Sequence, residues 1–225
     1  MNTPSPDPRA EETRSRLIAA GIELFGHFGY EAVTTRQLAD TAQVNQAAIP
    51  YHFGGKQGVY LAVADHLATL TGARLRQIAE TARMRLAENP DQSAIGALLL
   101  ETTLAVARMA FESDHRGIWL IFLTREQFHP SAAFERLYVD VSCPLHTVLG
   151  ELIGTPADAP DTIRLAHAYL GQIVGFVFAR AGLDRKLGRT GDWDSAEAAT
   201  TIATIERFSR YVIAGMVASQ PPADG

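Results

Sequence analysis

The stretch Thr34–Lys56, TTRQLADTAQVNQAAIPYHFGGK, decides the fold. Thr34 and Gln37 have the spacing of a capping box, in which the hydroxyl accepts a backbone N–H three residues on and the glutamine amide reaches back. This predicts a short helix over about Thr35 to Thr41. Asn45 is a good N-cap for a second helix, which makes Ala42-Gln43-Val44 a tight turn. Leu38, Ala42, Val44 and Ile49 can then bury together, and Ala39 is small enough to let the helices approach closely. The geometry is that of a helix-turn-helix, whose second helix meets base edges in a major groove with its N-terminal residues. Two short helices joined by a turn also occur in helical proteins that never touch nucleic acid. Pro50 has no N–H to bond to Gln46, and its ring presses on the same turn. A shortened or kinked second helix, distorted toward its C-terminal end, is the expectation.

Working outward, the preceding helix should finish at Phe28, with Gly29 in the left-handed C-terminal conformation and Tyr30 packed back on the last turn. After Gly54-Gly55 a long helix should run from Gln57 to about Arg83. Apolar residues recur at helical spacing almost everywhere beyond it, as in Leu165, Tyr169, Ile173, Val177 and Ala181. Breaks fall near Asn89-Pro90, near His129-Pro130, from Gly154 to Pro160 and through Gly182 to Asp194. The fold class is all-α: three short N-terminal helices, a long fourth and about five more. Residues 9–56 form a helix-turn-helix head, residues 57–218 a larger helical body sharing the fourth helix, and residues 1–8 and 219–225 are expected to be flexible.

The chain has 225 residues, 47% of them apolar, and a formal charge of -5. It is long enough for a sizeable core, and its mild acidity offers no global electrostatic case for a nucleic-acid partner. No apolar run approaches the roughly 18 to 20 residues of a membrane span, and the N-terminus lacks the apolar centre of a secretory signal, so the expected location is cytoplasmic, with no membrane partner. The single cysteine, Cys143, reads as a small buried hydrophobe.

From Arg14 to about Leu67 the chain resembles the DNA-binding region of the TetR family of bacterial transcription regulators. The resemblance rests on the Leu-Phe-x-x-x-Gly-Tyr end of helix 1, the Thr-Thr-x-x-x-Leu-Ala run, and Tyr51-x-Phe53-x-x-Lys56 entering helix 4. The segments AAIPYHFGGKQGVYLA and LTREQFHPSAAFERLYVDVSCPLHTVLGEL are similar to a TetR subgroup with its own C-terminal domain, sometimes associated with drug sensitivity. The resemblance implies a homodimeric regulator, most often a repressor, that binds a palindromic double-stranded operator and releases it when a small-molecule effector fills the body. It places Thr35 and Arg36 near phosphate or an adjacent groove, and Gln46, Ala47 and Tyr51 facing the groove. His52 would meet backbone or base, or be packed. Lys56 would hold a phosphate at the N-terminus of helix 4, where free N–H groups also favour an anion. The family often carries glycine where this chain has Gln43, and tyrosine where it has Pro50. A non-glycine left-handed residue and a missing phosphate contact are the consequences.

For the dimer surface, one helical pattern offers Tyr169, Gly171, Ile173, Val174, Gly175 and Phe178, and another offers Ile202, Ile205, Phe208 and Val212. Paired across a two-fold they would make a four-helix bundle; the alternative is that both are core of one chain. Phe111, Trp119, Phe122, Phe128 and Phe134 accompany Arg125, Glu126 and His129, a composition suited to an apolar effector cavity with a few polar groups or to plain core. Arg125 among aromatics requires an anionic partner, whether Glu126, Glu101 or a ligand. A rival reading takes Glu112 with His115 and Glu126 with His129 as the Glu-x-x-His pairs of a di-metal oxidative enzyme, although Pro130 and Ser113-Asp114 put both at helix ends. A further alternative is a DNA-binding regulator that responds to a protein partner. No cofactor is expected.

Overall fold

The computed structural model describes residues 8–112, 118–154, 156–190 and 194–218, and every element among them is helical. The chain order is α1 (Pro8–Ala32), α2 (Thr35–Ala42), α3 (Ala48–Phe53), α4 (Lys56–Leu86), α5 (Gln92–Phe111), α6 (Ile118–Phe128), α7 (Ala132–Leu137), a π-helical turn (Tyr138–Ser142), α8 (Cys143–Ile153), α9 (Pro160–Phe178), α10 (Arg180–Leu187) and α11 (Ser195–Ala218). The expected flexible ends and His115 fall outside the described residues, except for Pro8, which opens α1.

The head packs α1, α2 and α3 against the first half of α4. Leu17, Phe25, Val33, Leu38, Ile49 and Val59 are sealed from solvent there. Burial of one such side chain contributes about 1.5–3 kcal/mol, so a head this small depends on each of them. The second half of α4 turns Leu75, Ala79 and Ala82 into the body, where α5 lies against α4, α8 and α11. One apolar core runs through both parts, because α4 belongs to both and α1 also lies against α6.

Several local expectations change. The first helix is 25 residues long rather than short, and α10 occupies part of the stretch read as a break after Gly182. Gly29 does interrupt α1, but at φ 79 and ψ 169, an extended positive-φ conformation open essentially to glycine alone, and not in the left-handed helical region. Cys143 is half-buried rather than buried. The apolar helix α5 has the length and composition to cross a membrane, contrary to the sequence expectation; 56% of that window is buried inside the protein. Periodicity cannot separate a central core helix from a span, and packing against α11, α4 and α8 accounts for its composition.

Candidate nucleic-acid interface and the cleft behind it

The turn between α2 and α3 is built by local polar bonds. Thr34 caps α2 as expected: its hydroxyl accepts from the Gln37 amide at 3.2 Å, and the Gln37 side chain accepts from the Thr34 N–H at 2.8 Å. Gln43 ends α2 in the left-handed conformation, φ 52 and ψ 47, the cost foreseen for a non-glycine residue there. Asn45 Oδ1 accepts from the Ala47 N–H at 2.8 Å, so it closes a turn ahead of α3 instead of capping α3 directly. The N-cap position itself is Ala47.

This late start leaves α3 short, as expected of Pro50, but moves the effect from its C-terminal end to its beginning. With α3 beginning at Ala48, Pro50 is its third residue, in the first turn, where backbone N–H groups have no helical acceptor to lose. The Gln46 carbonyl that Pro50 leaves vacant takes the Ile49 N–H instead, at 3.2 Å. The C-terminal end of α3 remains bonded, Gly54 N–H donating to the Pro50 carbonyl at 3.0 Å. Pro50 therefore sets where the helix begins and does not disturb its end.

Two arginines that the sequence reading passed over lock this pair of helices onto α1. Arg14 Nη1 donates to the His52 carbonyl at 2.8 Å while its guanidinium lies 4.5 Å from the Phe53 ring centroid. Arg16 Nη2 donates to the Gln43 carbonyl at 2.8 Å. No local sequence signal marks them, since both acceptors are backbone groups more than 25 residues away. Gly58 completes the junction: a Cβ there would stand 1.7 Å from the Phe53 carbonyl oxygen, so α4 reaches the end of α3 only without a side chain.

The expected DNA-facing residues fall into two groups. Thr35, Arg36, Gln46, Ala47 and Tyr51 lie together on the open side of α2 and α3. Gln46 Nε2 donates to Thr35 Oγ1 at 2.9 Å, Arg36 pairs with Asp40 at 3.7 Å, and Tyr51 is 83% exposed. His52 is half-buried, edge-on to Tyr51 with ring centroids 4.8 Å apart. Lys56 turns toward the protein: Nζ donates to the Tyr30 and Val33 carbonyls at 2.9 and 3.0 Å and sits 4.2 Å from the Tyr30 ring centroid. Two of its three protons thus satisfy carbonyls at the end of α1.

Behind α2 and α3, head and body meet at an aromatic cluster. Tyr60 of α4 stacks on Phe122 of α6 at 4.7 Å and meets Phe25 and Tyr30 of α1 edge-on at 5.1 and 5.0 Å. Its hydroxyl donates to Glu126 Oε1 at 2.5 Å. Burial, and then the neighbouring Glu126 carboxylate, push the Tyr60 pKa well above its ordinary value. Glu126 is 2% exposed, and its other oxygen accepts from the Ser131 N–H and hydroxyl, both at 2.9 Å. Tyr60 and Ser131 were missed in the sequence, although a tyrosine in the apolar stripe Val59, Val63 and Leu67 signals a buried hydroxyl in need of a partner.

A cleft of about 800 Å³ opens beside this cluster, lined by Phe28 to Glu31 of α1, Gln57, Tyr60 and Leu61 of α4, and Arg125, Glu126 and His129 at the end of α6. Of the expected effector residues, Arg125, Glu126 and His129 reach it. Phe111, Trp119 and Phe122 do not line it and are core side chains. Arg125 does not pair with Glu126 or Glu101. Its Nη2 donates to the His27 carbonyl at 3.0 Å, while Glu101 pairs with Arg85. Among the described residues, no group of three or more His, Cys, Asp or Glu side chains forms a metal-binding cluster, and Glu126 is engaged by Tyr60 and Ser131.

The expected dimer residues also divide. Tyr169, Ile173 and Ile205 are covered by the chain's own helices, Tyr169 meeting the Thr103 hydroxyl at 3.1 Å, so these three are core of one chain. Val174 and Val212 are half-buried. Gly171, Gly175, Phe178 and Phe208 face outward, with Phe178 at 62% and Phe208 at 52% exposure, joined by Tyr211 at 69%.

A helix-turn-helix with an open polar face, carried on a helical body through a shared long helix, defines a DNA-binding transcription regulator. Residues 17–63 match the model of the bacterial regulatory proteins of the tetR family, and residues 94–216 match the C-terminal domain of the HTH-type transcriptional dual regulator CecR. The chain belongs to the TetR family of bacterial transcription regulators, with a CecR-type C-terminal domain. It is 38% identical to the HTH-type transcriptional dual regulator CecR of Shigella flexneri over 196 residues, which covers 85% of this chain and 86% of the relative. The HTH-type transcriptional regulator BetI of Brucella canis is 28% identical over 211 residues, 94% of each chain. Among solved structures, the hemolysin II transcriptional regulator HlyIIR superposes with a TM-score of 0.57 at 18% identity, covering 87% of this chain and 97% of that one. The fatty acid degradation regulator FadR from Bacillus halodurans does so with a TM-score of 0.55 at 15% identity, covering 95% and 98%. At such identities the superpositions speak for the fold alone. These relatives are transcription regulators and not enzymes, which removes the di-metal reading.

Proposed function

We propose that the protein is a homodimeric repressor that binds a palindromic operator and releases it when a small molecule occupies the cleft between head and body. The observation that carries this reading is the Gln46–Thr35 contact beside exposed Tyr51, on a helix pair tied to α1 by Arg14 and Arg16. A reading face held this way is pre-organised for a groove. Gln46 can bond a base edge, Ala47 can touch a thymine methyl, and Thr35, Arg36, Tyr51 and His52 can reach backbone phosphates. The remaining Lys56 proton can reach a phosphate as well. Two-fold symmetry brings two heads to successive major grooves, roughly 34–36 Å apart. The outward stripe of Gly171, Gly175 and Phe178 on α9, with Phe208 and Tyr211 on α11, supplies the self-complementary face, the glycines allowing close helix contact.

Selection of a random DNA library with the purified protein tests this. A palindrome with two half-sites about one helical turn apart is expected, and Gln46→Ala should relax preference at one base position in each half-site. No enriched palindrome would sink the reading. The name of the Shigella relative describes a dual regulator, so a reporter driven by the selected site should be scored in both directions; repression is the expected sense.

A further inference from the structure

Arg125 is a cation without an ion-pair partner in a cleft that Glu31 and Glu126 also line. Glu126 beside it has both oxygens engaged by Tyr60 and Ser131, Glu101 is taken by Arg85, and among the described residues no carboxylate stands within ion-pair distance of the Arg125 guanidinium. Its one polar partner there is the neutral His27 carbonyl, which uses one of five N–H donors. The guanidinium also rests against Gly29, where a Cβ would stand 2.2 Å from Nη1. Around it the cleft is walled by Phe28, Tyr30, Tyr60, Leu61 and Phe128. A cation with spare donors beside aromatic and aliphatic walls matches one kind of small molecule: an apolar body ending in a carboxylate.

We propose that the effector is an aromatic or aliphatic organic acid whose carboxylate binds Arg125, and that Arg125 is the residue through which it acts. This rests on the reading of the cleft as the effector site. A carboxylate accepts two parallel N–H bonds from a guanidinium, each charge-assisted and stronger than a bond to a peptide carbonyl. The ligand therefore competes with the His27 carbonyl for the same side chain. When it wins, α6 loses its tie to the end of α1. Because α1 holds α2 and α3 through Arg16 and Arg14, and Gly29 already interrupts its last turn, the reading helices shift relative to α4. An acid that bound without drawing Arg125 from His27 would have no differential affinity and would change nothing at the operator.

The test uses the full-length protein, isothermal titration calorimetry and a panel of acids, hexanoate to dodecanoate, benzoate and 1-naphthoate. Each acid is compared with its primary amide and with the matching ammonium compound. At least one acid should bind with Kd below about 1 mM and at least tenfold more tightly than its amide and amine. Arg125→Gln should erase the preference for the acid. Arg125→Lys, which keeps the charge but loses the fork, should retain part of it and shows that the fold survives substitution. Ala132→Trp, which fills the cleft, should abolish binding of all three forms. In the wild type the acid that binds should weaken operator binding, and in Arg125→Gln it should not. An amide or amine binding as tightly as its acid, or no acid binding below that limit, overturns the inference. If the amide or amine also loses binding in Ala132→Trp, the cleft is still the effector site and only the ligand class is wrong. Unchanged acid binding in Ala132→Trp overturns the cleft reading itself.

Discussion

Lys56→Met separates two roles that the position permits. In the structure the ammonium donates to the Tyr30 and Val33 carbonyls at 2.9 and 3.0 Å and lies 4.2 Å from the Tyr30 ring centroid. A hydrogen bond from a charged donor is worth about 1.5–3 kcal/mol when well buried. Lys56 is half-buried, so solvent screening reduces each to about 0.5–1 kcal/mol. The ring contact adds about 0.5 kcal/mol. The expected loss is about 2 kcal/mol, which for a chain of this size lowers the melting temperature by roughly 4–8 °C. Methionine keeps the stem packed, so the change reports the ammonium. Thermal melting should be read at fixed protein concentration, because dimerisation otherwise enters the result. The same variant should be titrated on operator DNA over a range of salt. If the third proton also meets a phosphate, the slope of log affinity against log salt becomes shallower by about 0.9 per head. A melting shift below about 1 °C would refute the clasp, and an unchanged slope would remove the phosphate contact.

Gly29→Ala places a side chain at φ 79, ψ 169 and drives its Cβ into Arg125; we expect about 2–3 kcal/mol of destabilisation, and Arg125→Ala in the same chain should relieve the collision but not the backbone strain, as read by urea unfolding. Tyr60 has its pKa raised by burial and by Glu126, so its contribution is complete below its unfolded value near pH 10 and falls as the unfolded state ionises above it; Tyr60→Phe should flatten the loss of stability above about pH 10. His146 has its pKa lowered, chiefly by burial, despite the bond between its Nδ1 and the Ser142 carbonyl, and with His167 3.2 Å from its Nε2. Its contribution is present above the unfolded value near 6.5 and is lost as pH falls, so His146→Gln should make the urea midpoint less sensitive to pH between about 7 and 5.

The all-helical fold was legible because its signals are local. The Thr34–Gln37 box, the left-handed Gln43 and the break at Gly29 are each decided within four residues of chain. Thr35, Arg36, Gln46, Ala47 and Tyr51 came from the resemblance and not from spacing alone; the structure brings them to the open side of α2 and α3. What escaped depends on contacts distant in sequence. The position of Lys56 at the start of α4 suggests a phosphate, but its bonds to the Tyr30 and Val33 carbonyls are invisible in a pattern of side chains. Of the anionic partners open to Arg125, which were Glu126, Glu101 or a ligand, neither glutamate is used, and its guanidinium donates to the His27 carbonyl, 98 residues away. The outward and inward sides of α9 could not be told apart either, since Tyr169 and Phe178 are both aromatic residues on one amphipathic helix and only tertiary contact, such as that of Tyr169 with Thr103 of α5, divides them. The short α3 was legible from Pro50, but not which end it affects: the same missing N–H disrupts the middle of a helix and is harmless in its first turn, where it lies.

That placement of Pro50 bears on how the reading segment behaves before it meets DNA. A helix of six residues is far below the length that persists unaided in water. Proline fixes its own φ and narrows the choices of Ile49 before it, so this segment has fewer conformations to give up than an ordinary hexapeptide. The ordering entropy is lost once, when the head folds, and not again at the groove. Association with DNA then resembles the docking of a rigid body, with the salt-dependent attraction of the backbone opposed by little conformational loss in the protein.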